Sequence, residues 1–220
     1  MTTQAPYKQQ PRFHVAVDCI IFGFDAGDLK LLIHRRRFEP RKGEWSLFGG
    51  FLQEDEGLDD AANRILSELT GLQNIYMEQL RTYGEIDRDP AGRVISVAFY
   101  ALIPVHQYSA AYSDQYGAEW ISLDELPELI MDHGSMVEKA LRRLQRRAAS
   151  QAIGMELLPE EFTIPQLQAL HEAIYRAPLD KRNFRKKMMG KDILERLEVK
   201  DMSASKKGAY LYRFKKNAKT

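Results

Sequence analysis

Seven residues in one stretch of this chain have the types and spacing for phosphate chemistry. Gly50 is followed, after five residues, by Glu56 and, after seven more, by Arg64; Leu66, Glu68, Gly71 and Leu72 complete the run GFLQEDEGLDDAANRILSELTGL. A loop entering a helix with carboxylates along it can hold Mg²⁺ or Mn²⁺, which neutralises phosphate charge and activates water. Such hard cations take oxygen ligands. Side chains at i, i+3 and i+4 share one helix face, and positions 65, 68 and 69 make one such face beside Arg64. Those residues are Ile65, Glu68 and Leu69. One helix carboxylate plus Glu56 gives a weak, mostly hydrated ion at best. Leu58, Ala61, Ala62, Ile65 and Leu69 instead form an apolar stripe at helical spacing.

A second chemistry is written in charge. Residues 176–220 carry 15 Lys/Arg against 5 Asp/Glu, a net of +10, while residues 1–175 carry 17 against 26, a net of −9. A basic module joined to an acidic one points the basic end at a polyanion, and nucleic acid is the usual one. Within it, residues 181–189 predict a helix with Phe184 and Met188 on one face. Arg182, Asn183 and Lys186 point the other way, where Arg pairs with guanine and Asn with adenine in a major groove. Lys181, Arg185 and Lys187 flank that face and suit phosphates. Lys206 and Lys207 are further phosphate candidates, with Arg213 a weaker one.

The elements that must position these residues follow from pattern. Residues 14–24 form a β-branched apolar run, a strand buried on much of both faces. Asp25-Ala26-Gly27-Asp28 is a turn, and residues 29–34 return as a second strand. The central helix covers about 58–68 and stops at Gly71. Strands are expected at 76–86, 94–104 and 117–121, a short helix at 123–130, and a long helix at 135–150. Strands, one central helix and a terminal helix make an α+β layered domain. A different pattern starts at Thr163, whose spacing to Gln166 is that of a capping box, with Pro165 tolerated in the first turn. Two helices joined by a tight turn, with Asp180 capping the second, then a two-strand ribbon around Leu197–Val199 and residues 209–214, give a winged helix-turn-helix outline.

Composition sets bounds. The 220 residues are 44% apolar, enough for a real core. No apolar run approaches the roughly 20 residues of a membrane span. The N-terminal residues lack the apolar core of a secretory signal, and a cytoplasmic location is expected. The single Cys19 lies in the first strand pattern and is expected as a buried small hydrophobe. His14, His34, His106, His133 and His171 have no metal-ligand spacing, so no zinc is expected.

The stretch from Gly50 to Leu72 resembles the Nudix box, in which Gly, five residues, Glu and seven residues lead to Arg-Glu-apolar-any-Glu-Glu-any-Gly-apolar. Ile65 and Leu69 stand where Nudix hydrolases carry acidic residues, and Leu47-Phe48-Gly49-Gly50 replaces their usual Leu-Pro-Gly-Gly. With Glu119-Trp120, Leu126-Pro127 and FTIPQLQALHEAIYRAPLDKRNFRKKM, the chain resembles the Nudix-related transcriptional regulators of the NrtR type from about residue 13 onward. The resemblance implies a flexible N-terminus (1–12), a Nudix-fold α/β/α sandwich that binds an effector (13–153) and a winged helix-turn-helix that binds DNA (154–220). It implies a homodimer on double-stranded palindromic operators, with the ligand altering DNA affinity. GEWSLFGGF and EIDRDPAGR look most like the sugar-responsive branch typified by arabinose repressors (AraR), so a pentose is the expected effector and sugar-catabolism genes the expected target. Another branch is similar to ADP-ribose sensors.

In that frame the cleft lies between the central helix and the loops beside it. Arg35, Arg37, Glu44, Trp45, Phe51, Asp87, Arg88 and Asp89 are its candidates: carboxylates and guanidinium groups for hydroxyls, and Trp45 or Phe51 as an aromatic face. Gly50, Glu56, Arg64, Glu68 and Gly71 are read as a vestigial box with no catalytic residue, no metal and no cofactor. The competing reading is a Mg²⁺-dependent hydrolase of ADP-ribose or a related nucleoside diphosphate derivative. It needs carboxylates at 65 or 69, or substitutes such as Glu54, Asp55 or Glu56.

Overall fold

The computed structural model describes residues 9–73, 75, 77–105, 117–150, 157–203 and 207–215. The expectations for residues 1–8, Tyr76, His106 and Lys206 lie outside the described residues, as does the side chain of Leu69.

The first strand, β1 (His14–Asp25), is the spine. It pairs in parallel with β6 (Val94–Pro104), antiparallel with β2 (Asp28–Arg35) along residues 21–25, and antiparallel with β4 (Phe48–Phe51) along residues 16–19. The short β3 (Trp45–Ser46) and β7 (Ala118–Ser122) both pair with β2, and β5 (Met77–Tyr83) closes the far edge on β6. Together they form one seven-stranded mixed sheet. The β1–β2 turn places Ala26 and Gly27 at φ 50° and 86°, the paired left-handed geometry that matches strand twist in a two-residue hairpin.

Side-chain alternation splits the core into two layers. Val17, Cys19 and Ile21 face α1 (Leu58–Thr70), packing with Ala61, Ala62, Ile65 and Leu66. Ile20 and Phe22 face α2 (His133–Ser150), packing with Met136, Val137, Ala140 and Leu144. A sheet covered on both faces explains why β1 reads as continuous apolar sequence rather than alternating. Cys19 is fully buried with its thiol against the Ala62 carbonyl, and burial pushes its pKa up.

The winged helix follows. β8 (Phe162–Thr163) leads into α3 (Ile164–Tyr175), a turn and α4 (Lys181–Gly190), then β9 (Leu194–Asp201) and β10 (Ala209–Phe214). Thr163 caps α3 as its spacing predicts: its hydroxyl accepts the Gln166 backbone N–H, and the Gln166 side-chain Oε1 accepts the Thr163 N–H. Asp180 accepts the Asn183 N–H at the start of α4. The ribbon gains a third strand, since β8 pairs with β10. The second layer of the Nudix-type sheet and the interior of the winged helix form one contiguous apolar cluster, running from Phe22 and Leu31 through α2 to Leu167, Ile174 and Phe184.

One expected element is absent. Residues 123–130 form turns and extended chain, not a helix. Pro127 has no N–H to donate and pushes Leu126 away from helical geometry. The segment is held by its ends: Leu129 and Ile130 are buried, and the Ile130 N–H donates to the Trp45 carbonyl. The α4 end also differs: Gly190 is inside the helix and Lys191 caps it.

Because Leu144 is fully buried where the two domains share their core, Leu144→Ala should cost roughly 2–5 kcal/mol. Denaturation followed by tryptophan fluorescence and by exchange of α3 amides should shift together. Two separate transitions in the wild type would refute a shared core.

Candidate effector cleft and nucleic-acid interface

A cleft of about 610 Å³, its open mouth included, lies beside β4 on the α2 side of the sheet. Its floor is polar. Asp18 projects from β1 among apolar neighbours and is only 6% exposed. A buried carboxylate needs partners, and Asp18 has three. The Ser96 hydroxyl donates to it at 2.5 Å, Arg88 Nη2 lies at 3.6 Å and His133 Nε2 at 3.7 Å. Arg88 in turn makes a two-pronged pair with Asp132, at 2.8 and 3.0 Å. The Leu47 N–H donates to His133 Nδ1, so a neutral ring carries its proton on Nε2, facing Asp18. Burial is the main cause of a lowered His133 pKa, with Asp18 opposing it.

Backbone closeness shapes the wall. A Cβ on Gly49 would collide with the Asp18 carboxylate and meet the Val17 carbonyl at 3.1 Å, and one on Gly50 would meet Ile65 at 3.3 Å. The double glycine therefore lets β4 lie against both the buried carboxylate and α1. Around the mouth stand Phe38 and Phe51, 57% and 48% exposed. Arg36 reaches in beside them, its guanidinium 4.1 Å from the Phe38 ring centre.

The sequence candidates divide on this geometry. Phe51, Arg88 and Asp89 line the cleft. Arg35, Arg37, Glu44, Trp45 and Asp87 do not. Arg35 stacks on Trp45 at 3.7 Å and bonds the Gly43 carbonyl. Glu44 pairs with Arg41, and Asp87 is exposed outside the cleft. The physical reason is strand phase. His34 and Arg36 share one face of the β2 extension and enter the cleft; Arg35 and Arg37 alternate to the other face. Period-two alternation in the sequence was signal enough to choose Arg36. Asp18, Asp132 and His133 were missed because a single acid in an apolar run and an isolated Asp-His pair carry no motif.

The Gly50–Leu72 stretch makes a lock. Arg64 donates to both oxygens of Glu56, at 2.6 and 2.8 Å, and to the Phe51 carbonyl at 3.1 Å; Glu68 lies 3.4 Å away. Glu56 also accepts the Gln53 N–H. These bonds clamp the 51–56 loop onto α1, and Gly71 ends the helix at φ 72°. Ile65 is buried against Gly50. Among the described residues no group of three or more His, Cys, Asp or Glu side chains converges as a metal site would need.

On α4, Phe184 and Met188 are buried, while Lys181, Arg182, Asn183, Lys186 and Lys187 are exposed. Arg185 is exposed too, with one nitrogen 3.5 Å from the Tyr212 hydroxyl. Lys207 is exposed near the ribbon tip. Arg213 makes a two-pronged pair with Glu195, at 2.9 and 3.2 Å, which occupies two of its N–H donors. The opposite face of the ribbon presents Tyr210 between Arg196 and Lys200, at 4.6 and 4.7 Å.

Hydrogen bonding from Arg64 holds the Glu56 carboxyl down at about 2. A carboxylate depressed in the folded state stabilises the fold above its ordinary value, near 4.5, and that contribution fades as pH falls toward 2. Glu56→Gln should therefore be less stable than wild type at neutral pH, with the gap closing across that acid window in denaturant titrations. A gap independent of pH would show that the ionised form of Glu56 is not what stabilises the clamp.

Comparison with known proteins places this geometry in context. Residues 12–140 match the profile of the NUDIX domain, and residues 154–214 match that of the NrtR DNA-binding winged helix domain. The chain is 34% identical over 204 residues, 91% of its length and 81% of the relative's, to the ADPR responsive transcriptional repressor NtrR of Acinetobacter baylyi. The crystal structure of Shewanella oneidensis NrtR complexed with a 27mer DNA superposes with a TM-score of 0.81 at 31% identity, covering 91% of this chain and 93% of that one. The NUDIX domain of the same Shewanella protein, cocrystallised with ADP ribose, gives 0.53 at 30% identity over 64% of this chain and 94% of its own.

Proposed function

For a chain that belongs to the NrtR family, a Nudix domain joined to an NrtR-type DNA-binding winged helix, we propose a ligand-responsive transcriptional repressor. Its cleft takes ADP-ribose or a close nucleoside diphosphate sugar, and its α4 helix reads operator DNA. The single observation that carries the DNA half is the exposed row Lys181, Arg182, Asn183, Lys186 and Lys187 on a helix anchored by Phe184 and Met188. The DNA-bound unit is taken as a homodimer, since paired helix-turn-helix modules meet half-sites about one helical turn apart.

The effector half departs from the arabinose expectation. That reading relied on Glu44, Asp87 and Arg88 for sugar hydroxyls. Glu44 is paired with Arg41, Asp87 is outside the cleft, and the Arg88 guanidinium is held by Asp132 and Asp18, carboxylates with which a neutral sugar hydroxyl, unlike an anion, does not compete. What the cleft offers is two exposed phenyl faces, Phe38 and Phe51, with Arg36 beside them. A flat base stacks on the phenyl faces and an anionic diphosphate pairs with the guanidinium charge, which a neutral pentose leaves uncompensated. Among the relatives, the Acinetobacter protein is an ADPR responsive repressor and the Shewanella NUDIX domain was cocrystallised with ADP ribose.

Loss of Nudix hydrolysis is the second part of the proposal. It is supported by the burial of Ile65, by the commitment of Glu56 to Arg64, and by Glu68 standing without a second helix carboxylate beside it. A Mg²⁺-bearing Nudix reaction would find one box carboxylate on this helix, Glu68, with Ile65 and Leu69 in place of the others.

Two measurements test the proposal. Arg182→Ala should weaken binding to DNA selected from a random pool by the wild-type chain by 10-fold or more, on the order of the 1–3 kcal/mol of a good base contact, without altering the circular dichroism spectrum. Unchanged gel-shift affinity would remove α4 from the reading role. Incubation with ADP-ribose and Mg²⁺ should release no AMP; robust turnover abolished by Glu68→Gln would establish a hydrolase instead.

A further inference from the structure

The cleft floor and the DNA-reading module are two ends of one helix. Asp132 immediately precedes α2 and pairs with Arg88, while His133, the first residue of α2, accepts the Leu47 N–H of the cleft wall. The Met136 N–H donates to the Asp132 carbonyl, so the first turn of α2 is built on these residues. At its other end the same helix grips the winged helix. Gln145 Nε2 donates to the Ile174 carbonyl, the Tyr175 hydroxyl donates to the Gln145 carbonyl, and Lys191, capping α4, donates to the Ala149 carbonyl. From His133 to Ala149 is about 24 Å at the helical rise per residue. Between these ends the helix is held along its length by Met136, Val137, Ala140, Leu144 and Ala148 in the shared core. A packed helix shifts as a body rather than bending in its middle.

We propose that α2 is the coupling element of this regulator, with the Arg88–Asp132 pair as the contact through which ligand occupancy acts on it. This rests on the effector reading of the cleft. Arg88 lines the cleft and Asp132 does not. An anionic ligand group in the cleft competes with Asp132 for the same guanidinium, which changes how the first turn of α2 is tethered. The displacement is then delivered at Gln145 and Ala149 to α3 and α4. Arg176, left-handed at φ 53° at the end of α3 and ion-paired with Asp124, is a further tie between the two domains among the described residues. It is the pivot about which such a shift turns the winged helix.

Hydrogen–deuterium exchange on the full chain, with ADP-ribose as the probe, tests this without knowledge of the operator. In the wild type, ADP-ribose should protect residues 47–51 and change exchange in residues 164–190 by at least about fivefold, the low end of ordinary allosteric coupling. Asp132→Asn removes the charge that holds Arg88 and keeps the shape; Gln145→Ala cuts the far end of the helix. Both variants should keep the protection of 47–51 and lose the response of 164–190. A wild-type response confined to the cleft, or a 164–190 response that survives in both variants, overturns the coupling role of α2 and leaves the effector reading standing. No protection at 47–51 in the wild type overturns the effector reading and this inference with it.

Discussion

A carboxylate buried in the middle of an apolar strand constrains everything near it. At 6% exposure the Asp18 carboxylate needs hydrogen-bonding and charged partners. The partners come from three distant places in the chain: Ser96 on the neighbouring strand, Arg88 on the loop before it, and His133 at the start of α2. Each brings a segment with it. Ser96 comes from β6, which β1 pairs in parallel, with Ala16 as its direct strand partner. Arg88 fixes the charged loop over the cleft, and His133 fixes where α2 begins. Gly49 exists as glycine because the carboxylate occupies the space a side chain would need. The cleft is therefore a consequence of accommodating one buried carboxylate.

The second constraint is that α2 belongs to two cores at once. Its apolar face covers the sheet layer of Ile20 and Phe22 and then continues into the winged helix without a break in packing. Chains with separable sensor and DNA modules usually join them through exposed polar linkers with few contacts. Here the junction is a buried seam backed by Gln145–Ile174 and Lys191–Ala149 hydrogen bonds. A seam of this kind transmits displacement, because close-packed interiors yield by discrete shifts rather than by gradual deformation.

Much of the fold was legible in the sequence, because its elements are set by local signals. The continuous apolar run of β1, the Ala26-Gly27 turn, the Thr163–Gln166 box and the Asp180 cap each have one dominant physical reading, and each appears in the structure. The helix expected at 123–130 does not form, because Pro127 interrupts it. The cleft was harder to read. Phe51, Arg88 and Asp89 were found from their loops, but Arg35 and Arg37 were chosen over Arg36, the residue whose strand phase turns it inward. Asp18, Asp132 and His133 have meaning only through one another, and their sequence separations exceed any local pattern. The Gly50–Leu72 stretch shows the same limit. Its spacing disclosed a scaffold, but the role of Glu56 as a partner of Arg64 emerges only when the loop folds back on the helix.

The central claim is that this chain responds to a nucleoside diphosphate sugar by changing its hold on DNA. The direct measurement is fluorescence anisotropy of a labelled duplex, chosen by the chain itself from a random pool, titrated with full-length protein with and without ADP-ribose. The account predicts saturable binding whose affinity shifts at least about fivefold with ADP-ribose, reversibly on its removal and with the nucleotide recovered intact. Equal affinity in both titrations, or a shift that fades as the ADP-ribose is hydrolysed, would contradict it.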